Sequence, residues 1–445
     1  MRESLNRRQF TARAVMLASA ALLDPFPLGA GAVPGVQPRI NGERLLRHLQ
    51  ALAEFGRTAE GGVSRVAYSE ADREGRAYVL ESMRAAGLEA RVDAAGNLVG
   101  SRSGRQRNRA PLALGSHIDS VPDGGNFDGP VGSLAAIEVV QTLVENRITT
   151  RHPLEVLVFS NEEGGKTGSR ALSGELEPRE LELTTASGRT VREGIGFLGG
   201  DSGRLESVRR RPGSLTAFLE LHIEQGGLLE SEGIDLGVVE GIVGIKRWEV
   251  TVEGVANHAG TTPMEQRQDA LLAAARYVEA VNRVVRGRPG RQVGTVGRIQ
   301  ALPGAPNVIP GRVVASLELR DLEMTTIDAL FEEIAAGARE IGRETGTSVA
   351  FENTYVSHSA PTDERIRRAI EGAAGELGLS TRRMPSGAGH DAQSIARLAP
   401  IGMIFVPSVG GISHSPREFT RPEDVVNGAN ALLHTLLRID RTELR

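Results

Sequence analysis

Residues 111–129, PLALGSHIDSVPDGGNFDG, contain the pattern that decides the fold: an apolar run that ends abruptly in histidine and acidic residues. The run at 111–117 has the length and composition of a buried β-strand. A helical apolar pattern follows at 131–145, and a second short apolar run lies at 154–160. A strand, a helix and a second strand in this order predict a βαβ unit of an α/β protein.

The same alternation continues on both sides of this unit. We therefore expect an α/β fold, an α/β/α domain with a mixed sheet. The polar, arginine-rich stretch 175–212 predicts loops and short helices. The other predicted elements are helices at 45–55, 69–86, 363–377, 392–398 and 422–437, strands at 215–222 and 401–406, and a short strand before residue 392.

A second, smaller unit interrupts this pattern. Residues 244–354 predict the order β-α-β-β-α-β, which is typical of a ferredoxin-like sandwich. We expect a larger domain in two parts, 40–243 and 355–441, with this domain inserted between them. The predicted elements of the inserted domain are strands at 248–252, 292–300, 311–319 and 348–351 and helices at 269–285 and 326–344.

Residues 1–32 have the layout of an export signal. The sequence NRRQF lies at 6–10, an apolar stretch covers 14–23, and AGA at 30–32 offers small residues for cleavage. This layout predicts recognition by the twin-arginine export machinery and a periplasmic or exported protein. The apolar stretch is too short to span a bilayer, so no stable membrane anchor is expected. The alternative is a basic N-terminal helix or an unstructured tail.

The composition excludes several classes of protein. Of 445 residues, 40% are apolar and 24% are charged, as in soluble globular proteins. The net charge of −4 gives no reason to expect a nucleic-acid partner. Cysteine is absent, which excludes disulfides, thiolate metal ligands and cysteine nucleophiles.

Polar clusters follow several of the predicted strands. Because ligands bind at the carboxyl ends of strands in open α/β sheets, we expect these clusters to meet in one crevice. Imidazoles and carboxylates without thiolates suit a divalent ion such as Zn²⁺, Mn²⁺, Co²⁺ or Ni²⁺, and an aspartate can bridge two ions. Any one cluster alone is more simply a solvated or structural feature. The clusters are HID at 117–119 with Asp128, NEEG at 161–164, HIEQG at 222–226, GAGHD at 387–391 and ISHS at 412–415.

One glycine pattern indicates a different chemistry. Gly194, Gly196 and Gly199 have the spacing of a dinucleotide-binding loop. The pattern lies in the polar stretch with no predicted strand before it and no predicted helix after it, so a nucleotide-dependent enzyme is only a weak alternative.

These motifs resemble the M20 family of metallohydrolases, and the resemblance covers nearly the whole chain after residue 32. The motifs at 117–119, 125–129, 161–164 and 413–415 occur in the family's order. The sequence LHIEQG at 221–226 is similar to the branch containing N-carbamoyl-L-amino-acid hydrolases, allantoate amidohydrolases and β-ureidopropionases. Peptidase branches typically have a carboxylate ligand where this chain has His222. NHAGTTPM at 257–264, GAPNVIP at 304–310 and Arg320 also match the carbamoyl branch.

The resemblance implies two divalent metal ions per subunit. They are expected to be Zn²⁺ or Mn²⁺, with Co²⁺ or Ni²⁺ as alternatives. The implied ligands are His117 and His222 on one ion, Glu163 and His414 on the other, and Asp128 between them. Glu162 is implied to be the general base that takes a proton from the activated water. Asp119 is implied to orient His117 and fix its tautomer. His258, from the inserted domain, is implied to help hold the oxyanion.

The resemblance also implies the substrate contacts. Arg320 offers a bidentate fork for a substrate carboxylate, with Asn307 beside it. Gln225 is implied to bind the carbamoyl or ureido amide, and Gly389 and His390 to line the same pocket. The alternatives are an interdomain salt bridge for Arg320 and a capped loop histidine for His258.

The activity implied is metal-dependent hydrolysis of a linear C–N amide bond in a small N-carbamoyl or ureido acid. The inserted domain is then a lid that also forms a homodimer interface. Two alternatives stay open. An aminoacylase or dipeptidase would keep the metals and change the substrate, and an exported binding protein would hold a metal or a ureido ligand without turnover.

Overall fold

The computed structural model describes residues 37–442. Its strands are β1 (Glu89–Val92), β2 (Leu98–Arg102), β3 (Leu112–His117), β4 (Leu154–Phe159), β5 (Ala217–Ile223), β6 (Leu236–Ile242), β7 (Gly244–Glu253), β8 (Asn257–His258), β9 (Val293–Thr295), β10 (Ile299–Leu302), β11 (Val308–Ile309), β12 (Arg312–Asp321), β13 (Ser348–Ser357), β14 (Ala360–Pro361), β15 (Thr381–Ser386) and β16 (Ile401–Val406).

The α-helices lie between these strands in the order expected of an α/β protein. They are α1 (Gly42–Ala53), α2 (Glu70–Ala85), α3 (Pro130–Glu145), α4 (Thr167–Ser173), α5 (Val191–Phe197), α6 (Leu228–Glu232), α7 (Ala270–Gly287), α8 (Met324–Thr345), α9 (Glu364–Leu377), α10 (Asp391–Ile395) and α11 (Pro422–Arg441). Ser69 caps the start of α2, because its side chain accepts a hydrogen bond from the Asp72 amide at 3.2 Å.

The larger sheet has the strand order β1-β2-β4-β3-β5-β16-β6-β14, with β15 also paired to β6. Its central strands β4, β3, β5 and β16 are parallel neighbours. Helix α3 packs on β3 and β5, and α11 packs on β5 and β16. Because helices cover these strands, β3, β5 and β16 are buried along their whole length, as their continuous apolar sequences predict. The parallel direction brings their carboxyl ends to one edge.

The smaller sheet has the order β10-β12-β7-β13, with β9 also paired to β12. Helices α7 and α8 pack on this sheet around Trp248, Tyr277 and Leu330. The expected order of strands and helices is confirmed, whereas the single strand expected at 292–300 was wrong. Two strands form there because the pairing with β12 shifts by one residue between Thr295, which lies opposite Glu318, and Ile299, which lies opposite Ala315. Residues 296–298 lie outside the ladder. The boundaries of an inserted domain at 244–354 stay a prediction.

The two sheets are joined by two neighbouring chain crossings. The first runs from β6 to β7 through Val243, and the second from β13 to β14 through 358–359. Antiparallel pairing ends at Ile242 with Ala360 on one side and resumes at Ile245 with Ser357 on the other. The crossings therefore lie side by side with a break in the ladder between them.

The glycine pattern at 194–199 has a packing role. Gly194 and Gly196 lie inside α5, one of the short helices expected at 175–212. A Cβ atom at Gly194 would lie 2.2 Å from the ring of buried Tyr68. This glycine therefore lets α5 approach that ring closely.

The export signal expected at 1–32 lies outside the described residues. Within residues 37–442, no helix combines the length and the apolar character needed to cross a membrane.

The fully buried side chain of Arg65 joins the end of α1 to the loop that follows β3. Its Nε donates to the carbonyl of Ile118 at 2.6 Å, and Nη1 donates to the carbonyls of Leu52 and Phe55 at 2.7 and 3.1 Å. Its Nη2 donates to Oδ1 of Asn126 at 3.1 Å. Burial lowers the pKa of the guanidinium to about 10, so the group keeps its charge at neutral pH.

We predict that Arg65→Lys destabilises the protein by about 3 kcal/mol, because one ammonium cannot serve four acceptors spread around a planar fork. The thermal unfolding midpoint, measured by calorimetry, should fall by roughly 5 °C. The matched control is Arg84→Lys, an exposed residue of α2 paired with Glu81, which should change the midpoint by less than about 1 °C. Equal midpoints for the two variants would contradict the assigned role.

Candidate metal centre

The carboxyl ends of the parallel strands bring the predicted polar residues together. His117 is the last residue of β3, and His222 lies near the end of β5. Glu163 follows β4, and His414 lies in the loop after β16. Asp128 lies just before α3 and is buried between these side chains.

Asp128 is at the centre of the cluster. Its Oδ1 lies 3.1 Å from Nε2 of His222 and 3.7 Å from Nε2 of His117. Its Oδ2 lies 3.4 Å from Nε2 of His414, which is 3.5 Å from Oε1 of Glu163. Two groups of possible ligand atoms result, each with all atoms within 4.8 Å of one another: His117, Asp128 and His222, and Asp128, Glu163 and His414. They share the carboxylate of Asp128.

The Nδ1 atoms of His117 and His222 contact backbone carbonyls, and their Nε2 atoms face Asp128. Nδ1 of His117 faces the carbonyl of Asp119 at 3.0 Å, and Nδ1 of His222 faces the carbonyl of Ile223 at 2.9 Å. A carbonyl only accepts, so both Nδ1 atoms carry a proton, and in the neutral rings both Nε2 atoms present a lone pair. Nε2 of His222 is buried and has no hydrogen-bond partner. A lone pair that faces a carboxylate is stabilised by a positive ion between them, so the donor set fits a divalent metal.

The charges of the cluster also favour a bound cation. Burial, together with repulsion from the neighbouring Asp128 and Glu162, raises the pKa of Glu163 to about 8. The hydrogen-bonding interaction with Asp128 raises the pKa of His414 to about 9 despite partial burial. Three carboxylates this close are therefore compensated by positive charge, which protons or metal ions supply.

Glu162 lies beside the two groups without belonging to either. Its Oε2 is 3.9 Å from Nε2 of His117, and burial raises its pKa to about 7. The backbone amides of Glu162 and Glu163 donate to the two carboxylate oxygens of Asp119 at 3.2 and 3.1 Å. Asp119 thus holds this loop with its side chain. It contacts Nδ1 of His117 with its main-chain carbonyl, whereas its carboxylate is 3.7 Å away.

Of the predicted substrate-binding residues, Gln225 and His390 lie at the cluster. Nε2 of Gln225 donates to Oδ2 of Asp128 at 2.6 Å, and its buried Oε1 has no partner. The ring of His390 is buried 4.5 Å from that of His222, centroid to centroid, and its Nε2 is 2.7 Å from Oγ of Ser386.

The predicted site residues of the segment 244–354 do not reach the cluster. Nδ1 of His258 accepts the backbone amides of Gly260 and Thr261 at 3.0 and 3.2 Å, and β8 pairs with β11 beside Asn307. Arg320 donates to Glu318 at 2.7 Å and to the carbonyl of Gly387, in the turn before Gly389, at 2.6 Å. Within residues 37–442, no hydrogen bond or ion pair joins His258, Asn307 or Arg320 to the five candidate ligands.

The family follows from a comparison of the whole chain with known proteins. A model of peptidase family M20/M25/M40 matches residues 113–438, which include the complete ligand cluster. The chain belongs to this family. The family resemblance predicted from the motifs is thereby confirmed.

Individual members of the family are similar over almost their entire length. The chain is 42% identical over 409 residues to the N-carbamoyl-L-amino acid amidohydrolase of Geobacillus stearothermophilus, covering 91% of this chain and 100% of the relative. It is 36% identical to the allantoate amidohydrolase of Bacillus subtilis, covering 88% and 96%. The crystal structure of an amidase of the hydantoinase/carbamoylase family from Burkholderia multivorans has a TM-score of 0.83 at 36% identity, covering 90% and 98%.

Several residues that support this M20 centre were not predicted. Oε1 of Glu418 accepts the amides of Phe127 and Asp128 at 2.9 and 3.0 Å. Oγ of Ser413 is 2.8 Å from Oδ2 of Asp128 and 2.9 Å from Oε2 of Glu418. Glu220, two residues before His222, is also buried. Glu418 lies four residues after the predicted ligand His414, in HSPRE at 414–418. This short distance in the sequence was the signal that could have identified it.

Gly129 permits the close approach of the Asp128 loop to His117. Its φ is +83°, and a Cβ atom there would lie 2.4–2.6 Å from three atoms of the His117 ring. We predict that Gly129→Ala displaces this ring and weakens binding of the first metal ion about tenfold or more. Titration calorimetry of the metal-stripped protein measures this affinity.

Gly188→Ala is the matched control for this variant. Gly188 has the same φ of +83°, but a Cβ atom there would have nothing within 4 Å. It therefore brings the same backbone strain without the clash, and its metal affinity should equal that of the parent protein. A Gly129→Ala protein with unchanged affinity would contradict the placement of His117 in the metal centre.

Proposed function

We propose that the protein is a two-metal amidohydrolase that cleaves a linear C–N bond of an N-carbamoyl or ureido acid. The observation that carries this proposal is the shared Asp128 carboxylate, faced on both sides by imidazole Nε2 atoms, with Glu162 beside it. The relatives named as N-carbamoyl-L-amino acid and allantoate amidohydrolases support the substrate class.

The residues of the cluster have distinct roles in this proposal. His117, His222 and Asp128 hold one ion, and Asp128, Glu163 and His414 hold the other. When bound, the two ions lower the pKa of water and polarise the substrate carbonyl. Glu162 accepts the proton of the attacking water and returns it to the leaving nitrogen as the C–N bond breaks. The carbamoyl group then ends as ammonia and carbon dioxide.

Residues of the segment 244–354 supply the remaining contacts in the proposal. Arg320 binds the substrate carboxylate, Asn307 lies beside it, and His258 stabilises the oxyanion that forms at the carbonyl. His258 has its Nδ1 occupied by two backbone amides, so its Nε2 is the atom that carries the proton and donates. These residues can act at the cluster around Asp128 only if the segment 244–354 moves toward the larger sheet or a partner subunit supplies them.

A substrate panel on metal-stripped and reloaded protein tests the proposal. Ammonia release from N-carbamoyl-L-amino acids and allantoate should disappear after chelation and return with Zn²⁺, Mn²⁺, Co²⁺ or Ni²⁺. N-acyl amino acids and dipeptides should release amino acid far more slowly. Preferential cleavage of the latter would favour an aminoacylase or dipeptidase, and activity that survives complete metal removal would contradict the metal centre.

Glu162→Gln tests the general base. The variant should keep both metal ions but lose about 10³-fold in kcat, because the amide cannot accept the proton. Glu163→Gln is the comparison, since it should lose the second ion as well as activity. Metal content by elemental analysis separates the two cases. Full activity of Glu162→Gln with normal metal content would instead favour another base.

Three further features stay predictions of the sequence. They are the twin-arginine signal at 1–32 with a periplasmic location, the homodimer formed by the smaller domain, and the identity of the metal ions.

A further inference from the structure

The side chain of Gln393 in α10 is buried where the two sheets join. Its Nε2 donates to the carbonyl of His358 at 2.6 Å and to that of Val243 at 3.4 Å. Its Oε1 accepts a hydrogen bond from Nζ of Lys166 at 2.5 Å. Since an ammonium only donates and carbonyls only accept, these partners determine the orientation of the amide.

Val243 and His358 belong to the two chain crossings. The ladder between the crossings is broken from Ile242 to Ile245, and both carbonyls lie in that break. Gln393 therefore donates hydrogen bonds to both chain crossings at the place where they are not paired with each other in a β-ladder. A movement of one sheet relative to the other changes the positions of these two acceptors.

Lys166 connects Gln393 to the loop of the proposed base. The backbone amides of Gly165 and Lys166 donate to the carbonyl of Glu162 at 3.1 and 3.0 Å. Lys166 has a φ of +56°, in the left-handed region that lysine rarely adopts. Such strain persists only where surrounding contacts maintain it. The base loop and the ammonium of Lys166 therefore form one closely held unit.

The segment 386–393 makes a second link between the same parts. The carbonyl of Ser386 accepts the amide of Val243 at 3.0 Å. The carbonyl of Gly387 accepts Nη1 of Arg320 at 2.6 Å. The residues that precede Gln393 thus contact both a crossing and the arginine proposed to bind substrate.

We propose that Lys166 and Gln393 are positioning residues that couple the arrangement of the two sheets to the loop carrying Glu162. Through this pair, the base reaches its working position together with Arg320. The catalytic consequence rests on the proposed function, whereas the mechanical coupling between the crossings and the base loop does not.

The variants Lys166→Met and Gln393→Met, and the double variant, test the coupling. Methionine is unbranched and of similar length, but it cannot replace the hydrogen bonds. With an N-carbamoyl amino acid, each single variant should lose about tenfold in kcat with KM changed less than about twofold. The double variant should lose no more than the worse single variant, because one connection is broken in all three.

Lys246→Met is the matched control. Lys246, in β7 of the smaller sheet, is the other lysine of the chain and pairs with Asp328 in α8. It should leave kcat and KM unchanged. Independent, additive losses in the double variant would overturn the proposal, as would a raised KM with unchanged kcat, which would mean that Lys166 binds substrate directly.

Hydrogen–deuterium exchange tests the mechanical coupling without any substrate. Lys166→Met should speed amide exchange at 243–245 and 357–360, where Lys166 makes no bond, and Gln393→Met should speed exchange at 162–167. Faster exchange only beside each substituted residue would overturn the coupling. If the parent protein hydrolyses no carbamoyl or ureido substrate, the proposed function fails, while the exchange result still decides the coupling.

Discussion

The carboxylate of Asp128 is the group on which the arrangement of the site depends. Imidazoles from three separate chain segments present Nε2 atoms to its two oxygens, and Glu162 and Glu163 add negative charge nearby. A buried arrangement of this kind is unstable without positive charge at its centre. Metal ions satisfy this requirement, and the other groups around Asp128 hold it where two ions can share it.

The fold meets this requirement at the carboxyl ends of its parallel strands and in the loops that follow them. Four parallel strands bring their ends to one edge, and the glycine conformation at 129 lets Asp128 approach His117. Glu418 and Ser413 then fix the backbone and the carboxylate of Asp128 from the far end of the chain. Supporting groups of this type restrict ligand orientation before any ion binds, which increases affinity and selectivity.

The sequence was informative where a general rule connects a local pattern to position in space. Apolar runs predicted the central strands β3, β4, β5 and β16 but not β1, β2 and β6. The rule for strand ends predicted that His117, Glu163 and His222 would meet. The role of Arg65 was not predictable, because four acceptors from separate segments become neighbours only in the folded chain. The same holds for Gln393, whose three partners come from three separate chain segments. The main-chain contact of Asp119 with His117 depends on loop geometry, which residue types do not reveal.

The spacing of the ligands along the chain has a consequence for biogenesis. Ser413 and Asp128 are 285 residues apart yet share a hydrogen bond, and His414 is needed for the second group of ligands. A nascent polypeptide on the ribosome thus lacks a complete pair of sites until its final strand and the loop beyond have been synthesised. In the proposed two-metal centre, capture of the second cation is therefore a late event, whereas all ligands of the first have been synthesised by residue 222.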